Sequence, residues 1–258
     1  MDPVAEFAIA VTTDDPPLDR MTALIAACGR PEVDPSVLLD RLDLLAGECD
    51  SDSASSLCRS LFVDFGFVGN AEDYYDPRNS LLDQVLARQL GIPITLSVVA
   101  MEVGRRRGVG LLGIGMPGHF LLRSAVDAAE YFDAFDRGRP LDLADCRRRF
   151  SALQGQAAPW EDSYLDPTPS LGIVERILNN LRSTYLRRGD RPGLIRTLRL
   201  QSVLPGAGVG ERRQLAGVLA ADGRFVEAAE LYDDLAEADR PRADDHRQTA
   251  RRLRANLN

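Results

Sequence analysis

His119 and Asp133 are the residues of this chain whose types and spacing could do chemistry. His119 follows a Pro-Gly turn in MPGHFLLR and opens a strand-like run, and Asp133 comes fourteen residues later in EYFDAFDRG, among aromatic residues. A carboxylate in an apolar strand is costly unless it is paired. On neighbouring antiparallel strands the two side chains stand side by side, and a carboxylate so placed fixes the tautomer of an imidazole for general acid–base work. Two plainer arrangements stay open: a histidine hydrogen-bonded in the core, and an Asp133 or Asp136 that closes the turn at Arg137-Gly138. The second histidine, His246, lies between Asp245 and Arg247 in a charged helix and is expected on the solvated surface.

The helix that must serve this pair reads IPITLSVVAMEVGRRRG, from Gly91-Ile92-Pro93 to a stop at Gly108. Pro93 fits its first turn, where a missing N–H costs nothing. Apolar residues point in nearly every direction around the helix, so protein is expected on all sides. Its polar residues then need a reason. With Pro93 as origin, Ser97 lies about 40° away, whereas Thr95 and Glu102 lie on the opposite face at about 200° and about 180°. Ser97 or Thr95 could act as a hydroxyl nucleophile activated by His119. The plainer alternative is a cap for Thr95 and a bond from Ser97 back to the helix carbonyls. Glu102 either pairs with Arg106, with Arg105 as substitute, or lines a polar pocket with Thr95.

Composition narrows the chemistry. The 258 residues carry 31 basic and 39 acidic side chains, a net charge of −8, which disfavours nucleic acid and anionic membranes as partners. Every basic residue is arginine, so neither a Schiff-base lysine nor a phosphate-loop lysine is available. The four cysteines Cys28, Cys49, Cys58 and Cys146 form no metal-like spacing. With two histidines in the chain, no metal and no cofactor is expected. The N-terminus lacks a signal-peptide pattern and no apolar run reaches the ~18 residues of a membrane span, so a cytoplasmic protein with reduced thiols is expected.

The elements that position these residues suggest an α+β order. Residues 1–66 read as helices broken at Pro31, Pro35 and DSDSASS. A polar, aromatic loop follows, AEDYYDPRN. In it Tyr74, Tyr75 and Asp76 suit a binding rim, while Asn79 and Ser80 suit caps of the next helix, with Ser80 and Asp83 as a capping-box-like pair. Three short strands, LLGIG, FLLRS and EYFDAF, come after the buried helix, and QGQAAPWEDSYLDPTPS is the best linker candidate. Helical segments fill the remainder. Among them LAGVLAADGRFVEAAELYDDLAEADRP resembles one tetratricopeptide-type hairpin.

The order of buried helix, strand with His and strand with Asp resembles the papain-like core of the transglutaminase-like superfamily. More closely, NAEDYYDPRNSLLDQVLARQLGIPITLSVVAMEVGRRRGVGLLGIGMPGHFLLR, with FDAFDRGRPL after it, resembles the SirB1 family. The resemblance implies a helix-rich transglutaminase-like domain with a small antiparallel sheet over residues 1–155 (core 67–150), and an all-α tetratricopeptide-like region over 156–258. It also implies a catalytic cysteine at the start of the buried helix, in a G-x-C. Aligned by Gly91, Gly108, His119 and Asp133, that position is Pro93. Proline has no attacking atom, and Ser97 one turn on is displaced by about 5 Å. The reading is a non-catalytic protein that binds a protein or peptide, with Tyr74, Tyr75, Asp76, Asn79 and Glu102 as binding candidates and a small-molecule ligand left open. The alternative is a divergent hydrolase or acyl transferase using His119, Asp133 and Ser97 or Thr95.

Overall fold

The structure, a computed structural model, describes residues 2–14, 16–50 and 52–255. The N-terminal helices are α1 (Pro3–Ala10), α2 (Leu18–Gly29), α3 (Pro35–Glu48) and α4 (Ala54–Arg59). Their starts are written locally: Asp2 caps α1, Asp34 caps α3 and Ser53 forms a capping box on α4. A π-turn, Ser60–Asp64, extends α4 and ends at Gly66, whose φ of 80° suits glycine. Strands β1 (Val68–Gly69) and β2 (Leu90–Gly91) pair in parallel, flanking a 3-10 turn (Pro77–Ser80) and α5 (Leu82–Arg88).

Helix α6 (Pro93–Arg107) runs from Pro93 to a left-handed Gly108, as its sequence predicts. Strands β3 (Leu111–Ile114), β4 (Leu121–Ser124), β5 (Tyr131–Asp133) and β6 (Arg139–Leu141) form one antiparallel sheet in chain order. The sheet's period of two divides its side chains. Phe120, Leu122 and Phe132 join the main core around α6, whereas Leu121, Tyr131 and Leu141 join a smaller core with Cys146 and Phe150 of α7 (Leu143–Gln154).

Helices α8 (Ser170–Arg188), α9 (Arg191–Ser202), α10 (Val209–Ala221), α11 (Phe225–Ala238) and α12 (Ala243–Ala255) complete the fold. Ile173, Val174 and Ile177 of α8 share one core with Leu96 and Val99 of α6, and that core extends to Leu253 of α12. The fold is therefore helix-rich α+β with a small antiparallel sheet. No helix among the described residues is long and apolar enough to cross a membrane.

Three local expectations need correction. Ser80 and Asp83 make no capping box: Leu81 is the extended N-cap of α5, and Asp83 turns instead to Arg30 and Gln84. The expected linker is packed, because Trp160 and Tyr164 close on Phe150 at 5.4 and 5.2 Å and the Thr168 N–H donates to the Gly113 carbonyl at 2.8 Å. His246 is buried, 4% exposed, not solvated. It shares a helix face with Ala250 and Leu253 at four- and seven-residue spacing, which turns it inward despite charged chain neighbours.

Candidate functional site

Strand pairing brings the principal pair together. Leu122 lies opposite Phe132 in the β4–β5 ladder, which sets His119, just before β4, near Asp133 at the end of β5. The His119 Nε2 lies 2.9 Å from Asp133 Oδ2. Asp133 is fully buried, and its other oxygen accepts the backbone N–H groups of Phe135 at 3.0 Å and Asp136 at 3.2 Å. Arg149 of α7 adds an ion pair to Oδ2 at 2.6 Å. Burial acts to raise the Asp133 carboxyl, but the hydrogen bond and charge of His119, the Arg149 guanidinium and the Asp136 N–H outweigh it and hold the carboxyl below the usual carboxylate range. In the tautomer whose Nε2–H donates to an anionic Asp133, the lone pair lies on Nδ1.

A second clamp fixes the turn that carries His119. Arg176 of α8 donates to the carbonyls of Gly115 at 2.6 Å, Met116 at 3.3 Å and His119 at 2.9 Å, and stacks over Phe120 at 5.4 Å. Arg149, Arg176 and Phe135 were not legible as site residues, for each lies in an ordinary-looking helix or strand word. Phe135 links the pair to the surface. Its ring meets His119 edge-on at 6.4 Å and Tyr74 at 6.0 Å, and Tyr74 meets Tyr75 at 5.3 Å. Tyr74 and Tyr75 are 38% and 42% exposed, so three rings, Tyr75, Tyr74 and Phe135, descend from solvent to the imidazole.

The same wall reaches the start of α6. Gly69 N–H donates to the Phe135 carbonyl at 3.2 Å, and Asn70 N–H donates to the Gly91 carbonyl at 2.9 Å. A Cβ on Gly69 would stand 2.3 Å from the Phe135 ring, so this approach requires glycine. Pro93, buried, follows as the first residue of α6. The two hydroxyls behind it are committed. Thr95 Oγ1 donates to the Asn79 carbonyl at 2.6 Å and receives the Ile92 N–H at 3.2 Å; Ser97 Oγ donates to the Pro93 carbonyl at 2.8 Å and is fully buried. All four cysteines are buried and free. Burial pushes the Cys28 thiol up to about 12 and the Cys146 thiol to about 11, and raises Cys49 and Cys58 as well. Among the described residues the His119 ring bonds to Asp133 and to no sulfur.

The remaining expected residues separate into three groups. Tyr74 and Tyr75 stand at the mouth of the aromatic descent. Asp76 and Asn79 are buried below it: Asp76 caps the 3-10 turn through Arg78 N–H at 2.9 Å, and Asn79 Nδ2 donates to the Asp73 and Tyr74 carbonyls at 2.8 and 3.3 Å. They shape the rim without facing solvent. Glu102 is distant along α6, bound by Arg105 Nε at 2.8 Å and Arg106 Nη1 at 2.9 Å, with Asp19 bridging the same two arginines. Burial and the neighbouring Asp19 raise its carboxyl despite both arginines. No group of three or more His, Cys, Asp or Glu suited to a metal occurs among the described residues.

Comparison with known proteins agrees with this geometry. Residues 29–179 match the family model described as the transglutaminase-like superfamily. A UPF0162 protein of Xylella fastidiosa is 40% identical over 198 residues, covering 70% of either chain. A UPF0162 protein of Pseudomonas aeruginosa is 30% identical over 226 residues, 84% of this chain and 83% of the relative. F-box only protein 21 of mouse is 35% identical over 165 residues, which is 59% of this chain but 24% of that protein.

Proposed function

Since the chain belongs to the transglutaminase-like superfamily and to the UPF0162 family within these matches, we propose that it is a SirB1-type member without a nucleophile, which binds a protein or peptide at the aromatic descent to His119. One observation carries this reading. Pro93 stands where the superfamily resemblance puts the attacking cysteine, and the hydroxyl protons of Thr95 and Ser97 are already donated to backbone carbonyls. A base without an acyl acceptor beside it performs no covalent transfer. The His119–Asp133 pair then lies behind Phe135, and Tyr74 and Tyr75 offer rigid amphipathic surface of the sort enriched at interfaces.

A tetratricopeptide-like role for the tail belongs to the same proposal. Helices α10 and α11 form a hairpin through Asp222-Gly223-Arg224, and the paired Ala228 and Ala229 are fully buried, which lets the helices approach closely. A cytoplasmic setting suits four unpaired thiols. The alternative of a divergent hydrolase or acyl transferase draws on the same His119–Asp133 pair and would need Ser97 or Thr95 to be released from its carbonyl.

Labelling of the full chain with a fluorophosphonate, together with incorporation of a fluorescent amine into a glutamine peptide, tests the reading. Neither product is expected. Labelling that disappears in both Ser97→Ala and His119→Ala, with folding intact, would overturn it. For binding, Tyr74→Ala with Tyr75→Ala is the suitable variant, because a chain cut near Pro159 would strip Ile173, Val174 and Ile177 from the shared core.

A further inference from the structure

A cavity that shares no lining residue with the His119 pair lies where α1, α2, the start of α3 and α9 converge. Its volume is about 500 Å³, within the ~300–1,000 Å³ of small-molecule sites. Val4, Leu24, Ala27 and Val33 give it apolar walls. Three carboxylates also line it, but each is engaged: Asp2 caps α1 through Val4 N–H at 3.1 Å, Asp34 caps α3 through Ser36 N–H at 2.9 Å, and Glu6 pairs with Arg20 at 3.1 Å. Arg199, at its edge, pairs with Glu227.

Arg196 is different. It lines the cavity, its Nε is buried without a hydrogen-bond partner, and the side chain makes no hydrogen bond or ion pair among the described residues. Arg88, Arg123 and Arg213 also carry a buried unpaired nitrogen, yet each holds another partner: Asp76, the Leu165 carbonyl and Asp239 respectively. A half-buried guanidinium with no ion-pair partner on the wall of a cavity can receive a planar anion, since its forked N–H groups match a carboxylate.

We propose that this cavity binds a small carboxylate with an apolar body, its carboxylate on Arg196 and its chain against Leu24, Ala27 and Val33. The site shares no lining residue with the His119 pair and does not depend on its proposed partner.

Calorimetric titration of the full chain with octanoate, with 1-octanol as the uncharged analogue and with octyl phosphate as the alternative anion, tests it. Octanoate is expected to bind about tenfold or more tightly than octanol. Arg196→Gln should remove that preference and leave octanol unaffected. Val33→Trp, which narrows the cavity without changing charge, should weaken octanoate and octanol together, and serves if Arg196→Gln does not fold. A preference for octanoate over octanol that survives in folded Arg196→Gln, octanoate affinity unchanged in folded Val33→Trp, absence of octanoate binding to the native chain, or a preference for octanol or octyl phosphate would overturn the proposal.

Discussion

Both histidines of this chain end in the same small constellation. In the sheet, His119 Nε2 meets Asp133 Oδ2 at 2.9 Å and Arg149 meets that oxygen at 2.6 Å. In the tail, His246 Nε2 meets Asp239 Oδ2 at 3.1 Å and Arg213 meets that oxygen at 3.0 Å. Pair geometry therefore does not distinguish a candidate site from a clasp between helices. The surroundings do. Asp133 is sealed and receives two further backbone N–H groups, and three rings, Phe135, Tyr74 and Tyr75, lead from its histidine to the surface. Asp239 lies between α11 and α12, where it also meets Arg213 of α10, and His246 stacks on Tyr232 at 5.9 Å.

The contrast is sharpest in stability. Asp133→Ala leaves Arg149 charged and His119 unpaired beside a buried void, so urea denaturation should report a loss of ~3–5 kcal/mol. Asp239→Ala should cost clearly less, because its carboxylate is partly exposed, 15% against 0% for Asp133. Equal losses would break the distinction.

Acid sensitivity should follow the same order. The folded state holds the Asp133 carboxyl below its ordinary value, so its contribution is complete above the unfolded value of ~3.9 and is lost as pH falls through the folded one. In an acid titration monitored by circular dichroism, Asp133→Asn should flatten that limb. Asp239 is shifted in the same direction, by the His246 hydrogen bond first, and Asp239→Asn should act similarly but less.

The smallest effects belong to the helix hydroxyls. Thr95→Val removes the donor to the Asn79 carbonyl and should cost about 1 kcal/mol. Ser97→Ala, which loses only a bond to its own helix, should change the thermal midpoint little, by less than about 1 kcal/mol equivalent.

Much of this was legible in the sequence, where the signal was periodic or punctuated. Helix α6 is bounded by Pro93 and Gly108 as written, the three hydrophobic strand words became β3, β4 and β5, and Asp133 met His119 across β4 and β5. Ser97 and Thr95 took the hydrogen bonds that their helix positions offered. What escaped depends on long-range approach. Strand β6 carries the unpromising word Arg-Pro-Leu, and β1 and β2 are two residues each. Arg149 and Arg176 reach the site from helices 30 and 57 residues after His119 (149 − 119 and 176 − 119). The charged chain neighbours of His246 point to a solvated surface, although its spacing to Ala250 and Leu253 marks the inward face on which it lies.

The central claim is that Pro93 occupies the place of an attacking group opposite a retained base. Pro93→Cys tests it directly, by the pH dependence of iodoacetamide alkylation at that position, read by peptide mass spectrometry. The account predicts a thiol that titrates below the ordinary ~8.5 and returns to it when His119→Ala is added. A thiol with ordinary titration, indifferent to His119, would contradict it.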